Sequence, residues 1–125
     1  MNTTNLELSR ELREAGYPQE SYFYWEKWIT EEEGYSLLHY ISITEWNEDD
    51  KNRMFASPTA DEILERLPLF IKDNGHGRGR LVVEKGINGW TVGYINDWGR
   101  MNKNDKSLAD AVAKMWLYLK KNNLL

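Results

Sequence analysis

The sequence predicts an α+β fold, a layered sandwich of antiparallel β-hairpins and helices in the order α-β-β-α-β-β-α. Three observations lead there. Apolar residues recur at helical spacing in Leu8–Leu12, Ile63–Leu67 and Leu108–Leu119, the last two behind helix start signals. Between the helices lie runs rich in the aromatic and β-branched residues that strands favour. One pair of such runs is joined by Gly86-Ile87-Asn88-Gly89, and an Asn-Gly pair is a strong tight-turn signal. At 125 residues the chain has the size of one domain, so residues 1–125 are read as a single unit.

The first helix spans about Asn5 to Ala15. Leu8 and Leu12 share a face at helical spacing, Glu7, Arg10, Arg13 and Glu14 supply the wet side, and Gly16 and Pro18 follow as stop signals. A strand follows over Ser21–Trp28. A second runs from Tyr35 to Thr44, with Glu31-Glu32-Glu33-Gly34 as a solvated turn between them. Glu45 to Ser57 is polar and reads as a surface loop. In Pro58-Thr59-Ala60-Asp61-Glu62, Thr59 is the N-cap and Glu62 lies three residues on, the reciprocal arrangement of a capping box. Ile63, Leu64 and Leu67 form this helix's apolar side, and Pro68 ends it.

Asp73 to Arg80 reads as a flexible connection. The clearest hairpin pairs Leu81–Lys85 with Trp90–Ile95, and Asn96 to Lys106 reads as another loop. The last helix starts at Ser107 as N-cap and runs to about Asn122. Leu108, Val112, Met115 and Leu119 face the sheet, and Lys120 and Lys121 sit in the last turn, where cations are favoured. Phe23–Lys27 echoes Leu81–Lys85 and Tyr40-Ile41 echoes Tyr94-Ile95, which suggests a duplicated ββα unit.

Several chemistries are excluded by composition. The chain has no cysteine, which removes disulfides, thiolate metal sites and cysteine nucleophiles and fits a reducing compartment. The N-terminus lacks the basic start and apolar run of a signal peptide, and no apolar run approaches the ~20 residues of a membrane span. A cytoplasmic location is expected. A net charge of −4 argues against general affinity for nucleic acid, while leaving room for a local basic patch.

The early Leu-rich helix ending in Ala15-Gly16-Tyr17-Pro18, the aromatic strand after it, Ser57–Leu64 and Leu108–Leu119 together resemble small phage and prophage proteins grouped as phage ABA-sandwich-like domains. The resemblance implies a layered fold and a mobile-element origin. It brings no catalytic residue with it.

The glycine-rich run 75–80 is the first candidate site. Its backbone can approach a phosphate, and His76, Arg78 and Arg80 are candidate anion or nucleic-acid ligands. It is neither a Walker A sequence nor a dinucleotide fingerprint, and the plain alternative is a solvated loop. Trp46 and Trp98, both in polar contexts, are candidate anchors for a protein partner, or lids folded back over the core. Trp116 and Tyr118 belong with the last helix's core face. Glu45, Glu48, Asp49 and Asp50 read as a solvated loop rather than a cation site, since they lack the order of an EF-hand. His39 reads as a core-edge residue on the face of Leu37 and Ile41, and two histidines without cysteine assemble no zinc set.

No catalytic set, metal or cofactor is expected. The leading expectation is a binding domain of phage or prophage origin that engages a protein partner or itself. The alternative is a nucleic-acid-binding module using the Gly/Arg loop 74–80.

Overall fold

The computed structural model describes residues 3–27, 34–39, 54–73, 77–96 and 99–125. Its elements are α1 (Leu6–Glu14), β1 (Phe23–Lys27), β2 (Tyr35–His39), β3 (Met54–Ala56), α2 (Ala60–Arg66), β4 (Phe70–Asp73), β5 (Gly77–Gly86), β6 (Gly89–Asn96), β7 (Gly99–Asp105) and α3 (Leu108–Lys121). The fold is α+β, the predicted order of helices and hairpins holds, and β3, β4 and β7 enlarge it.

The helix ends follow their capping residues. Asn5 Oδ1 accepts from the Leu8 amide at 2.8 Å, and Gly16 takes φ +90° just beyond α1. Thr59 and Glu62 close the predicted capping box. The Glu62 carboxylate also accepts from the Ser21 hydroxyl at 2.7 Å and the Tyr22 amide at 3.1 Å, which ties the start of α2 to the entry of β1. Ser107 caps α3 by accepting from the Asp110 amide.

α3 is the hub, packing on β6 and β7 from one side and on α1 and α2 from others. Leu119, Met115 and Val112 are fully buried, and so are Ala109, Ala111 and Ala113, whose small side chains let neighbouring elements approach closely. A helix buried on several sides reads as apolar nearly all round, as this one does. Leu8 and Leu12 of α1 and Ile63 and Leu67 of α2 complete the core. Each such fully buried aliphatic side chain contributes roughly 1.5–3 kcal/mol. Trp116 is buried here as expected, with Tyr17 edge-on to it at 5.0 Å.

The strands form two sheets, ordered β2-β1-β3 and β4-β5-β6-β7, every pairing antiparallel. The two predicted hairpins therefore lie in different sheets. β1 pairs with both β2 and β3, whereas β5–β6 sits inside a four-stranded meander, so the two ββα echoes differ in sheet organisation. No described helix is long and apolar enough to cross a membrane.

Three loop expectations are corrected. Met54–Ala56, inside the expected loop Glu45–Ser57, is a strand whose residues are all buried, so it shows no alternation. Gly99–Asp105 is an edge strand paired along nearly the whole of β6. It reads as polar because only Met101 among its inward residues is apolar. The run from Gly77 to Arg80 is the start of β5, paired with β4, and no flexible connection. Gly79 belongs there for steric reasons, because a Cβ would lie 3.3 Å from Tyr94 Cβ and 3.5 Å from Ile71 Cγ1. The turn at Gly86–Gly89 carries its positive φ on Gly89, where a Cβ would collide with the Asp105 carbonyl at 2.4 Å.

Candidate functional site

Strand alternation gives the four-stranded sheet two unlike faces. Its inner face carries Ile71, Leu81, Val92, Tyr94 and Met101, all packed with the core around α3. The Tyr94 hydroxyl donates to the Pro68 carbonyl at 2.6 Å, and its pKa is pushed up to about 12 by burial. The opposite, outer face carries Phe70 and Lys72 from β4, Arg78, Arg80, Val82 and Glu84 from β5, Thr91, Gly93 and Ile95 from β6, and Arg100, Asn102 and Asn104 from β7. Among the described elements, no helix packs on this face.

The register aligns these residues in rows across the sheet. One row runs Phe70–Arg80–Ile95–Arg100 through all four strands, so apolar and cationic side chains alternate. Neighbouring strands lie about 4.8 Å apart, which sets Arg80 and Arg100 roughly 10 Å from each other at the backbone. Lys72 pairs with Arg78 in the next row. Phe70, Ile95, Lys72, Arg78, Arg80 and Arg100 are all exposed.

The four cations are in different electrostatic states. The Arg78 guanidinium lies 3.9 Å from the Phe70 ring centroid, a cation–π contact that leaves its charge unneutralised. Arg80 and Lys72 make no hydrogen bond or ion pair among the described residues. Arg100 is held from two sides, donating from Nη2 to Glu84 Oε2 at 2.7 Å and from Nε to Asn102 Oδ1 at 2.8 Å. Gly93 makes that possible. Its missing Cβ is the space Asn102 occupies, since a Cβ there would lie 2.2 Å from Asn102 Oδ1 and 2.6 Å from the Met101 carbonyl. Beside it, the Thr91 hydroxyl donates to Asn104 Oδ1 at 2.7 Å.

With four cations against one carboxylate, the face carries +3. The whole chain carries −4, so everything else together carries −7. The face is thus a basic surface on an acidic protein.

A second depression, a groove of about 570 Å³ between α1, α3 and β7, is lined by Glu7, Glu11, Lys103, Lys114, Tyr118 and Lys121 among others. Two of its lysines are engaged by neighbours. Lys114 pairs with Asp105 at 2.8 Å, and Lys103 sits 4.6 Å from the centre of the Tyr118 ring. Burial tends to raise the Asp105 pKa, but the Lys114 hydrogen bond and the amides of Ser107 and Lys106 outweigh it and hold the carboxyl below its ordinary range. Among the described residues no three His, Asp or Glu side chains gather as a metal site would require.

The sequence-derived candidates divide. Arg78 and Arg80 share the outer face, held on a strand rather than a loop. His76, Trp46, Trp98 and the acidic cluster Glu45–Asp50 lie outside the described residues. The backbone of β2 reaches His39, opposite Phe23. Sequence reasoning missed Phe70, Lys72 and Arg100, because they are distant in the chain and meet the arginines only through strand register. The spacing of Arg78 and Arg80 was a usable signal, since residues two apart on a strand share a face. Compared with known proteins, the chain matches no family model, no curated protein and no solved structure.

Proposed function

We propose that this protein is a binding domain that holds a nucleic acid on the outer face of its four-stranded sheet. The observation that carries the reading is the gathering of Lys72, Arg78, Arg80 and Arg100 on one open face of a chain that is acidic elsewhere. A polyanion gains from such a face by releasing its condensed counterions as cations replace them. The rest of the chain carries a net −7, so the charge distribution favours this face over the remainder taken together.

The other binding mode expected from the sequence, a protein partner gripped by Trp46 and Trp98, has no support of this kind, because both residues lie outside the described structure. The proposal includes a cytoplasmic setting, which a cysteine-free chain suits, and the phage or prophage origin suggested by the sequence resemblance.

The test is direct binding of labelled nucleic acid to the wild type and to the double variant Arg78→Ala/Arg80→Ala at low salt. Binding that weakens at least tenfold in the variant, with unchanged thermal stability, supports the reading. Equal binding by both proteins, or none by either, rejects it.

A further inference from the structure

We infer that the nucleic acid is single-stranded and that its bases lie on the Phe70–Arg78 pair and along the row Phe70–Arg80–Ile95–Arg100; this rests on the nucleic-acid reading above. The argument begins with what the face exposes besides charge. Phe70 and Ile95 are each 38% exposed, and they alternate with Arg80 and Arg100 in one row. A duplex turns its phosphates and sugars outward and keeps its base faces stacked inside. Docked on this row, a duplex would satisfy the arginines but leave the phenyl ring and the isoleucine against phosphate or water. An unpaired strand presents both kinds of group at once, phosphates for the cations and base faces for the apolar side chains.

The Phe70–Arg78 contact sharpens the point. Its guanidinium, 3.9 Å from the ring centroid, covers part of the phenyl ring and turns the pair into a combined cationic and π surface. Guanidinium planes and aromatic rings are the two platforms on which unpaired bases stack. Because every base has a π-face, such a platform tolerates any sequence. Duplex readers work differently, inserting a helix or a free two-stranded ribbon into a groove. Here the β5–β6 ribbon is not free, since β7 pairs along it from Trp90 to Asn96, and no described helix lies on this face. An acidic protein segment would answer the charges, yet it brings no flat ring faces for Phe70 and Arg78.

The experiment compares four labelled ligands at one salt concentration: a mixed-sequence single-stranded oligonucleotide, the same sequence as a duplex, heparin and polyglutamate. Each is titrated with the wild type, Phe70→Leu, Phe70→Trp and Arg78→Ala/Arg80→Ala, with fluorescence anisotropy as the readout. The single strand is expected to bind at least tenfold more tightly than the duplex. Phe70→Leu keeps an apolar side chain but loses the ring, and should weaken the single strand about fivefold or more, the lower end of one base–aromatic stack. It should leave heparin affinity unchanged, and Phe70→Trp should restore or improve single-strand binding. Selectivity among ligands within one variant protects the result from a general loss of folding.

Duplex binding equal to or tighter than single-strand binding, or a Phe70→Leu variant with unaltered single-strand affinity, overturns this inference while the nucleic-acid reading survives. Polyglutamate binding as tightly as the oligonucleotide overturns it in favour of an acidic protein partner. No binding to any of the four overturns the nucleic-acid reading itself.

Discussion

Removing Arg78 and Arg80 should change how binding depends on salt, and the structure sets the size of the change. Three of the four cations on the outer face are uncompensated by a carboxylate among the described residues: Lys72, Arg78 and Arg80. Arg100 is already neutralised by Glu84 at 2.7 Å and releases no counterion of its own. For a single strand the slope of log affinity against log salt is about −0.7 for each phosphate neutralised, so three such contacts give about −2. Raising salt from about 50 to about 200 mM then weakens the wild type about 20-fold. Arg78→Ala/Arg80→Ala leaves Lys72 alone, which reduces the slope to about −0.7 and the loss over the same range to about threefold. Anisotropy titrations with one labelled oligonucleotide across a salt series measure both slopes. A double variant that binds more weakly but keeps the wild-type slope would refute the reasoning, because the arginines would then act through something other than contact with phosphate.

Three further substitutions test the scaffold of the face. Glu84→Gln removes the carboxylate that occupies Arg100, so the same titration should show tighter binding at low salt and a steeper slope, about −2.8; an unchanged slope means that Arg100 does not reach the ligand. Gly93→Ala forces a Cβ to within 2.6 Å of the Met101 carbonyl and displaces Asn102, so it should lower stability by about 1–3 kcal/mol in denaturant unfolding; a variant as stable as wild type contradicts the close approach of β6 and β7. Asp110 is buried, and desolvation raises its pKa above the ordinary 3.8 although the Asn5 amide donates to it. The folded state therefore holds that proton more readily than the unfolded chain, and stability is lost as pH rises from 3.8 through the folded pKa. Asp110→Asn keeps an oxygen for Asn5, so it should be the more stable protein in thermal melts at pH 7, with the gain vanishing below pH 3.8; a pH-independent loss would show that the charge itself is needed at the start of α3.

Local signals carried much of the fold. Thr59 with Glu62, Ser107 with Asp110 and Gly16 after Ala15 each act within one turn of chain, and such short-range chemistry can be read directly from neighbouring letters. The hairpin Leu81–Ile95 was equally plain from its strand-favouring runs and the Asn-Gly signal between them, although the two turn residues are Ile87 and Asn88 and Gly89 already pairs with Gly86. What stayed hidden was stabilised by partners far away in the chain. β7 has one inward apolar residue, Met101, and exists because β6 lies beside it. β3 is too short for a period, and its burial comes from the sheet and from α1. The same asymmetry governs the site. Arg78 and Arg80 were visible as chemistry, but glycines at 75, 77 and 79 suggested a mobile loop, whereas Gly79 is there to let β5 lie close over Ile71 and Tyr94. Once that run is a strand, its arginines acquire fixed neighbours, and Phe70, Lys72, Ile95 and Arg100 follow from register.

The outer face also explains how an acidic chain can carry a basic surface without neutralising it. A cation beside carboxylates on the same strand pair would be answered locally, as Arg100 is by Glu84. On the β4–β5 half of the sheet the cross-strand partners of the cations are Phe70 for Arg80 and each other for Lys72 and Arg78, so no described carboxylate stands opposite them. Like charges directly opposite one another are unfavourable in a sheet. The Lys72–Arg78 pairing is therefore a small local penalty that the core beneath must offset, with Ile71 and Tyr94 buried under it. A bound polyanion would remove that repulsion. Binding should accordingly raise the melting temperature by more than the same ligand raises that of Lys72→Glu, in which the unfavourable pair has become a favourable one and an attractive contact to the ligand has been lost. The sheet is most stable with its outer charges answered, and among the described residues no carboxylate answers those of Lys72, Arg78 and Arg80.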